Sequence, residues 1–404
     1  MNKSKLLPYF ILIIILFATS FVKANTITTA GSGNWNSTAF NAPWPGGIVP
    51  ASTDNVIIAS GDNVAVTVAI TQTGTVEIQS GGTLTATAAN ATVGPLTIDI
   101  GGTLTTSRIL TVNGVTTISG TINFQTTARA DAFNGDVTLI SGATWSETVA
   151  ITPSFSGNFS NNASTFTAST GVHTFSGSGK TFSGSTTTTI PRVTITGTYS
   201  NTGTLTVATA LAGSGTLTNG AAGTLNIGCI AANLTITALD ASTPNNTVNY
   251  NRAGVQTVFV TPYYNLTLSG SGAKTIGAVS VSNILDMTGT ASASAAPTYG
   301  GSATLQYDQT ATTGPEWISP FVATGGVIIN SGTVTLGAAK VIGNNTSIPL
   351  KIVSSATLTP GANLLTFDGD FINAGTLTSG SGGVTITGTV TAQNIAGFTT
   401  TGTV

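Results

Sequence analysis

Charge is what this chain has least of. Asp, Glu, Lys and Arg make up 6% of its 404 residues, against roughly 25% in an ordinary soluble domain. Without a Glu/Lys surface, long amphipathic helices have little to be built from. There is one cysteine, Cys229, so no internal disulfide can form. Its neighbours Leu225, Ile227 and Ile230 mark it as a small buried hydrophobe rather than a nucleophile. There is also one histidine, His173. Zinc sites built from His and Cys are excluded by these counts, and a Ser-His-Asp triad or a Cys-His pair would have to use that single ring. Basic residues number 11 against 13 acidic ones, and Lys3, Lys5 and Lys23 fall at the very start. No basic stripe exists, so nucleic acid is not an expected partner.

What is present is 40% hydrophobic residues, 49 glycines, and threonine and serine at most remaining polar positions. Threonine favours strands and glycine punctuates turns, so many short strands and tight turns are expected. The first residues read as an export signal: Lys3 and Lys5, an apolar run from Leu6 to Phe17, then Val22-Lys23-Ala24 before a cleavage point at Asn25. Residues 1–24 are accordingly expected to be removed, and no other segment is long and apolar enough to span a membrane.

Self-similarity is the strongest signal. From Gly74 the chain divides into units of about 20 residues: GTVEIQSGGTLTATAANATV, GPLTIDIGGTLTTSRILTVN, GVTTISGTINFQTTARADAFN and GDVTLISGATWSETVAITPSF. In each, alternation puts one set of side chains on a buried face: Val76 and Ile78, then Leu96, Ile98 and Ile100, with Leu84 and Leu104 between threonines. Asn113-Gly114 and Asn134-Gly135 fall at one register, as corners should, and both types tolerate a left-handed backbone. One unit cannot bury its apolar face alone, but stacked units bury a continuous column. The predicted fold is all-β, a right-handed parallel β-helix (β-solenoid) with an N-terminal cap. It would have roughly 15–19 coils in a rod of roughly 70–90 Å. A string of antiparallel sandwiches would instead repeat near 100 residues.

Residues 25–73 are expected to form the cap and first strands, and 74–155 the regular coils. Residues 156–404 are read as the same rod with longer loops, because aromatic-ended strands at His173-Thr174-Phe175, Val248-Asn249-Tyr250 and Leu305-Gln306-Tyr307 lead into Gly- and Pro-containing stretches. Trp35 and Trp44 lie before the first unit and are expected to cover the apolar end of the rod.

The segment Trp35…Trp44…Pro50…Asp54-Asn55-Val56…Gly61-Asp62-Asn63-Val64 resembles the start of large secreted β-helix proteins of Bacteroidetes-type bacteria. The stretches YYNLTLSGSGAKTI and LQYDQTATTGPEWISP resemble the repeats of the same group, and the likeness extends over most of residues 30–404. The architecture also resembles filamentous-haemagglutinin-like adhesins. The resemblance implies an extracellular or cell-surface structural and adhesive role, and it carries no catalytic residues over. Members of the group often end in a separate sorting domain. This chain ends at Thr401-Gly402-Thr403-Val404 inside a repeat-like strand, which suggests a piece of a longer protein.

Chemistry-bearing residues are few. His173 lies in Val172-His173-Thr174-Phe175, where alternation with Val172 inward would put the ring in solvent. Paired carboxylates could serve glycoside hydrolysis: Asp131 with Asp136 around the Asn134-Gly135 corner, and Glu77 near Asp99 on adjacent coils but at different points along the strand. Asp368-Gly369-Asp370 is the densest pair and a weak candidate for Ca²⁺; ordinary turn chemistry explains it as well. Arg108 and Arg129 could assist a lyase, though spacing does not place them beside an acid. Trp145 and Trp317 are possible glycan contacts if exposed. The Thr-x-Thr pairs 83/85, 103/105, 204/206, 333/335 and 376/378 could stack into outward ladders suited to ice, but their spacing drifts. No cofactor is expected. The expectation is a secreted or surface-displayed structural/adhesive rod that is not an enzyme, with surface glycans or cell-surface proteins as partners. The alternatives are a carbohydrate-binding or polysaccharide-active protein, and an ice-binding one.

Overall fold

The computed structural model describes residues 24–343, 348–387, 394–400 and 404. The expected leader therefore lies outside the described residues, apart from its last position, and so do residues 401–403.

Short alternating segments separated by tight turns do form short strands. A representative coil contains Leu96–Ile98, Thr103–Thr106 and Leu110–Val112, joined by bends. Each strand pairs in parallel with its equivalent one coil on: Leu96–Ile98 with Thr116–Ile118, Thr103–Thr106 with Thr121–Phe124, and Leu110–Val112 with Ala132–Phe133. Three faces result. The whole is a parallel β-solenoid of about 16 turns, which at ~4.8 Å per coil gives a rod of about 75 Å. Helix is confined, among the described residues, to the 3-10 turns Pro45–Gly47 and Ala231–Asn233.

The core is the column of inward residues that alternation selects. On the first face Val56, Val76 and Leu96 stack in register, and so do Ile58, Ile78 and Ile98. On the second, Val64, Leu84, Leu104, Ile122 and Trp145 follow one another. All are essentially inaccessible, and each such aliphatic side chain contributes about 1.5–3 kcal/mol by leaving water. On the third face the column turns aromatic. Phe133, Phe155 and Phe175 stack at centroid distances of 5.4 and 4.9 Å. Ile100, expected inward, is instead 71% exposed. The strand ends at Ile98, and Ile100 begins the turn before Gly101 and Gly102.

Glycine serves two purposes at the corners. Gly61, Gly81 and Gly101 stack with φ of 83°, 79° and 82°, the left-handed region. The Asn-Gly corners do not adopt it. A Cβ on Gly135 would lie 2.4 Å from the Gly114 carbonyl oxygen, and one on Gly157 2.3 Å from that of Gly135. There glycine permits close approach of successive coils. Asn113 and Asn134 complete that corner, with Asn134 Nδ2 donating to Asn113 Oδ1 at 2.8 Å.

Thr26–Thr28 already pairs with Asn55–Ile58, so the first strands stack within residues 25–73 beside the cap. The cap itself is the excursion 35–54, where Trp35 and Trp44 meet edge-on at 5.1 Å and Trp44 Nε1 donates to the Trp35 carbonyl at 2.5 Å. Beyond residue 156 the coils do not lengthen. Residues paired across one coil step there lie 17 to 25 apart in sequence. The irregularity comes instead from strands that run through corners, above all Thr204–Asn219, which pairs with neighbours on all three faces.

Candidate functional site: outward hydroxyl columns and buried polar clusters

The outward side of the second face is built from what alternation leaves over. With Leu84, Leu104, Ile122 and Trp145 inward, their flanking residues must point out. The register aligns Asn63, Thr83, Thr103, Thr121, Thr144 and Thr165 in one column. A second column, two residues along, holds Ala65, Thr85, Thr105, Asn123, Ser146 and Thr167. The columns lie about 6.7 Å apart, with steps of about 4.8 Å along each. Drift in sequence spacing does not break them, because extra residues are taken up in the connections between strands. Among the described residues the side chains of Thr83, Thr103, Thr105, Thr121 and Thr144 have no protein hydrogen-bond partner, while Thr85 Oγ1 reaches Asn63 Oδ1 at 3.4 Å. Their hydroxyls are free for solvent or a ligand.

A later stretch behaves differently. Asn226 Nδ2 donates to Thr206 Oγ1 at 3.1 Å, Asn249 Nδ2 to Asn226 Oδ1 at 3.2 Å, and Ser269 Oγ to Asn249 Oδ1 at 2.6 Å. That ladder is closed on itself. The pairs 333/335 and 376/378 belong to the third face, where Thr333, Thr357 and Thr376 align. The Thr-x-Thr pairs are thus divided between faces.

Several expected surface residues are inside. His173 is 1% exposed, which corrects the outward reading. It shares the inward side with Phe175 and leaves Val172 outward, because the larger aromatic two residues on sets the inward parity. Its Nε2 lies 3.1 Å from Glu147 Oε1, which also accepts Trp145 Nε1 at 2.8 Å, while Glu147 Oε2 accepts Ser169 N at 2.7 Å. Burial raises the Glu147 carboxyl, but the hydrogen bond and charge of His173, then Ser169 and Trp145, outweigh it and hold the group below its ordinary value. Trp145 and Trp317 are 0% and 1% exposed, so neither offers a ring to a glycan; both were drawn into the coil with the apolar residues of their columns.

Asp131 is likewise not a turn residue. It is buried, bonds Arg129 Nε at 3.1 Å and accepts Leu110 N at 2.7 Å. Asp136 is accessible and accepts from Asn158 N at 2.8 Å, which lowers its carboxyl. The two acids are therefore not presented together. Arg129 bonds within the coil, and its guanidinium sits 5.6 Å from the Phe124 ring. Glu77 pairs across coils with Thr97, so Asp99 lies offset from it, as expected. Asp99 is raised slightly by burial and by Glu77. Asp368 Oδ1 accepts from Thr387 Oγ1 at 3.3 Å and Asp370 Oδ1 from Asn394 N at 3.0 Å. No group of three or more His, Cys, Asp or Glu that could hold a metal ion occurs among the described residues. Cys229 is buried, and burial raises its thiol.

Asp286 and Asp308, like Glu147, were missed by sequence reasoning. Asp286 faces outward opposite Gln306, and its carboxyl is pushed up to about 7 by burial and by Asp308. Asp308 in turn accepts from Gln306 Nε2 and Asn330 Nδ2, each at 2.6 Å. Residues 286 and 308 are about one coil apart, the same separation as Glu77 and Asp99, so the repeat spacing could have signalled the pair. No protein-family model, curated protein or solved structure matches this chain. Among the described residues no helix is long and apolar enough to cross a membrane.

Proposed function

We propose that this chain is an exported, non-catalytic rod that acts as a structural or adhesive element at or outside the cell surface. The observation that carries this reading is the pair of outward columns on the second face. An uncharged strip of free hydroxyls, repeated coil after coil, suits many weak and identical contacts whose sum is strong. The stiffness of a stacked core keeps such contacts in line, and a low charge leaves contact insensitive to salt. The partners are surface glycans or cell-surface proteins. The test is retention of beads carrying residues 25–404 on cell surfaces and on a panel of polysaccharides under flow. Retention that survives 1 M salt, judged against the screening such a concentration brings, supports it; no retention on any surface removes it.

A second reading is favoured by the same columns. Their repeated spacing of threonine hydroxyls on a parallel sheet suits ice binding. Thermal hysteresis and reshaping of ice crystals by residues 25–404, lost in Thr83→Lys and Thr103→Lys, would support it.

A further inference from the structure

The third face is broken between Leu234–Asp240 and Gln256–Thr257 and again further along. Ser271–Thr275 pairs with Thr290–Ala293, and Ala311–Thr312 pairs with Thr333–Thr335, yet no ladder joins Thr290–Ala293 to Ala311–Thr312. At this later break lies a recess of about 240 Å³. Gln309, 5% exposed, spans part of the gap by donating from Nε2 to the Ala291 carbonyl at 3.1 Å. Glu316 also lines the recess and is 3% exposed. Its Oε1 accepts Tyr307 Oη at 2.8 Å and Gly314 N at 2.7 Å, whereas Oε2 has no protein hydrogen-bond partner and no ion pair among the described residues. Oε2 is thus the one edge of an otherwise buried carboxylate that the recess leaves open to a donor.

We propose that this recess binds one residue of a neutral glycan, with Glu316 Oε2 accepting from its hydroxyls. The volume would hold about eight waters at ~30 Å³ each, which suits a sugar ring and exceeds what a bare ion needs. The lining supplies hydroxyls at Thr290, Ser292 and Thr312, and an apolar patch at Met287 and Ala291. A few convergent polar groups on an apolar wall are the usual make-up of a small-molecule site. Charge balance favours a neutral ligand. Lys340, 6% exposed, donates from Nζ to the Gly314 carbonyl at 3.2 Å and to the Trp317 carbonyl, and Glu316 favours its charged form against burial. The Glu316 charge is thus already offset, and hydroxyl donors to a carboxylate gain the strength of charge-assisted hydrogen bonds. This site is independent of the hydroxyl columns on the second face.

The test is titration calorimetry of residues 25–404 against a panel of neutral mono- and oligosaccharides, with methylammonium and Ca²⁺ as comparison ligands. At least one saccharide is expected to bind, and Glu316→Gln to weaken it by about tenfold or more. In that variant the amide oxygen can still serve Tyr307 and Gly314, while an N–H replaces Oε2. If Glu316→Gln fails to fold, the double variant Thr290→Val/Thr312→Val decides on the same scale, and Glu77→Gln on the first face is expected to bind as wild type. The proposal is overturned if no neutral saccharide binds at millimolar concentration, if only methylammonium or Ca²⁺ binds, or if the recess variants bind like wild type.

Discussion

Replacing Glu147 by alanine leaves three buried donors without an acceptor: His173 Nε2, Trp145 Nε1 and Ser169 N. None of these residues is more than 8% exposed, so water does not replace the lost partner. Each orphaned group costs about 1–3 kcal/mol, and breaking a buried ion pair from one side costs about 3–5 kcal/mol. A loss of about 4 kcal/mol is expected for Glu147→Ala, with the cavity included. Glu147→Gln should cost less, because its amide oxygen still accepts from His173 and Trp145, although its N–H₂ then faces Ser169 N. The assay is urea unfolding at pH 7 followed by tryptophan fluorescence in a background where Trp35, Trp44 and Trp317 are phenylalanine, so that the signal comes from Trp145. Stacked coils unfold in segments, so the transition containing Trp145 is the one to compare. A pH series adds a sign. The Glu147 carboxyl lies below its ordinary value of 4.5 in the fold, so its contribution is full above that value and lost as pH falls through the folded value. A loss below 1 kcal/mol for Glu147→Ala, or equal losses for Ala and Gln, would refute the reasoning.

Other consequences follow from the same geometry. Asp286 is pushed up to about 7, so the fold binds its proton more tightly than the unfolded chain does, and the stability it contributes below its ordinary value is lost as pH rises towards 7. Asp286→Asn should therefore be more stable than wild type at pH 8 by about 1 kcal/mol, allowing for solvent screening, and equal to it at pH 4; thermal melts at the two pH values decide. Gly135→Ala should destabilise by about 2–4 kcal/mol, since its Cβ would meet the Gly114 carbonyl oxygen at 2.4 Å; Gly301→Ala, with open space around it, is the matched control in the same denaturation experiment. Thr83→Val with Thr103→Val should leave stability within about 0.5 kcal/mol, because neither hydroxyl has a protein partner, while lowering retention on any surface the rod adheres to.

Much of the fold was legible because it repeats. Val76 and Ile78, Leu84 and Leu104 are inward as period-two alternation requires, and the Asn-Gly corners stack where their shared register placed them. What was not legible depends on a choice of parity or on distant partners. Val172-His173-Thr174-Phe175 alternates equally well either way; only the aromatic column of Phe133, Phe155 and Phe175 decides it. Asp131 reads as a corner residue until Arg129 and Leu110 N are seen to enclose it. Trp145 and Trp317 read as exposed rings in a polar setting, yet each occupies an inward position. The later break on the third face is invisible in sequence, since Thr290–Ala293 and Ala311–Thr312 each look like any other strand. The columns of the second face were half legible. The Thr-x-Thr pairs were evident, but drifting spacing concealed that connections absorb the extra residues.

The most direct test of the account is retention under flow of beads carrying residues 25–404, compared with beads carrying a variant in which Thr83, Thr103, Thr121 and Thr144 are all lysine. The account predicts that the native rod is retained on a glycan-bearing or protein-bearing cell surface and that the variant, folded by circular dichroism, is released. Equal retention of both, or retention of neither, would contradict it.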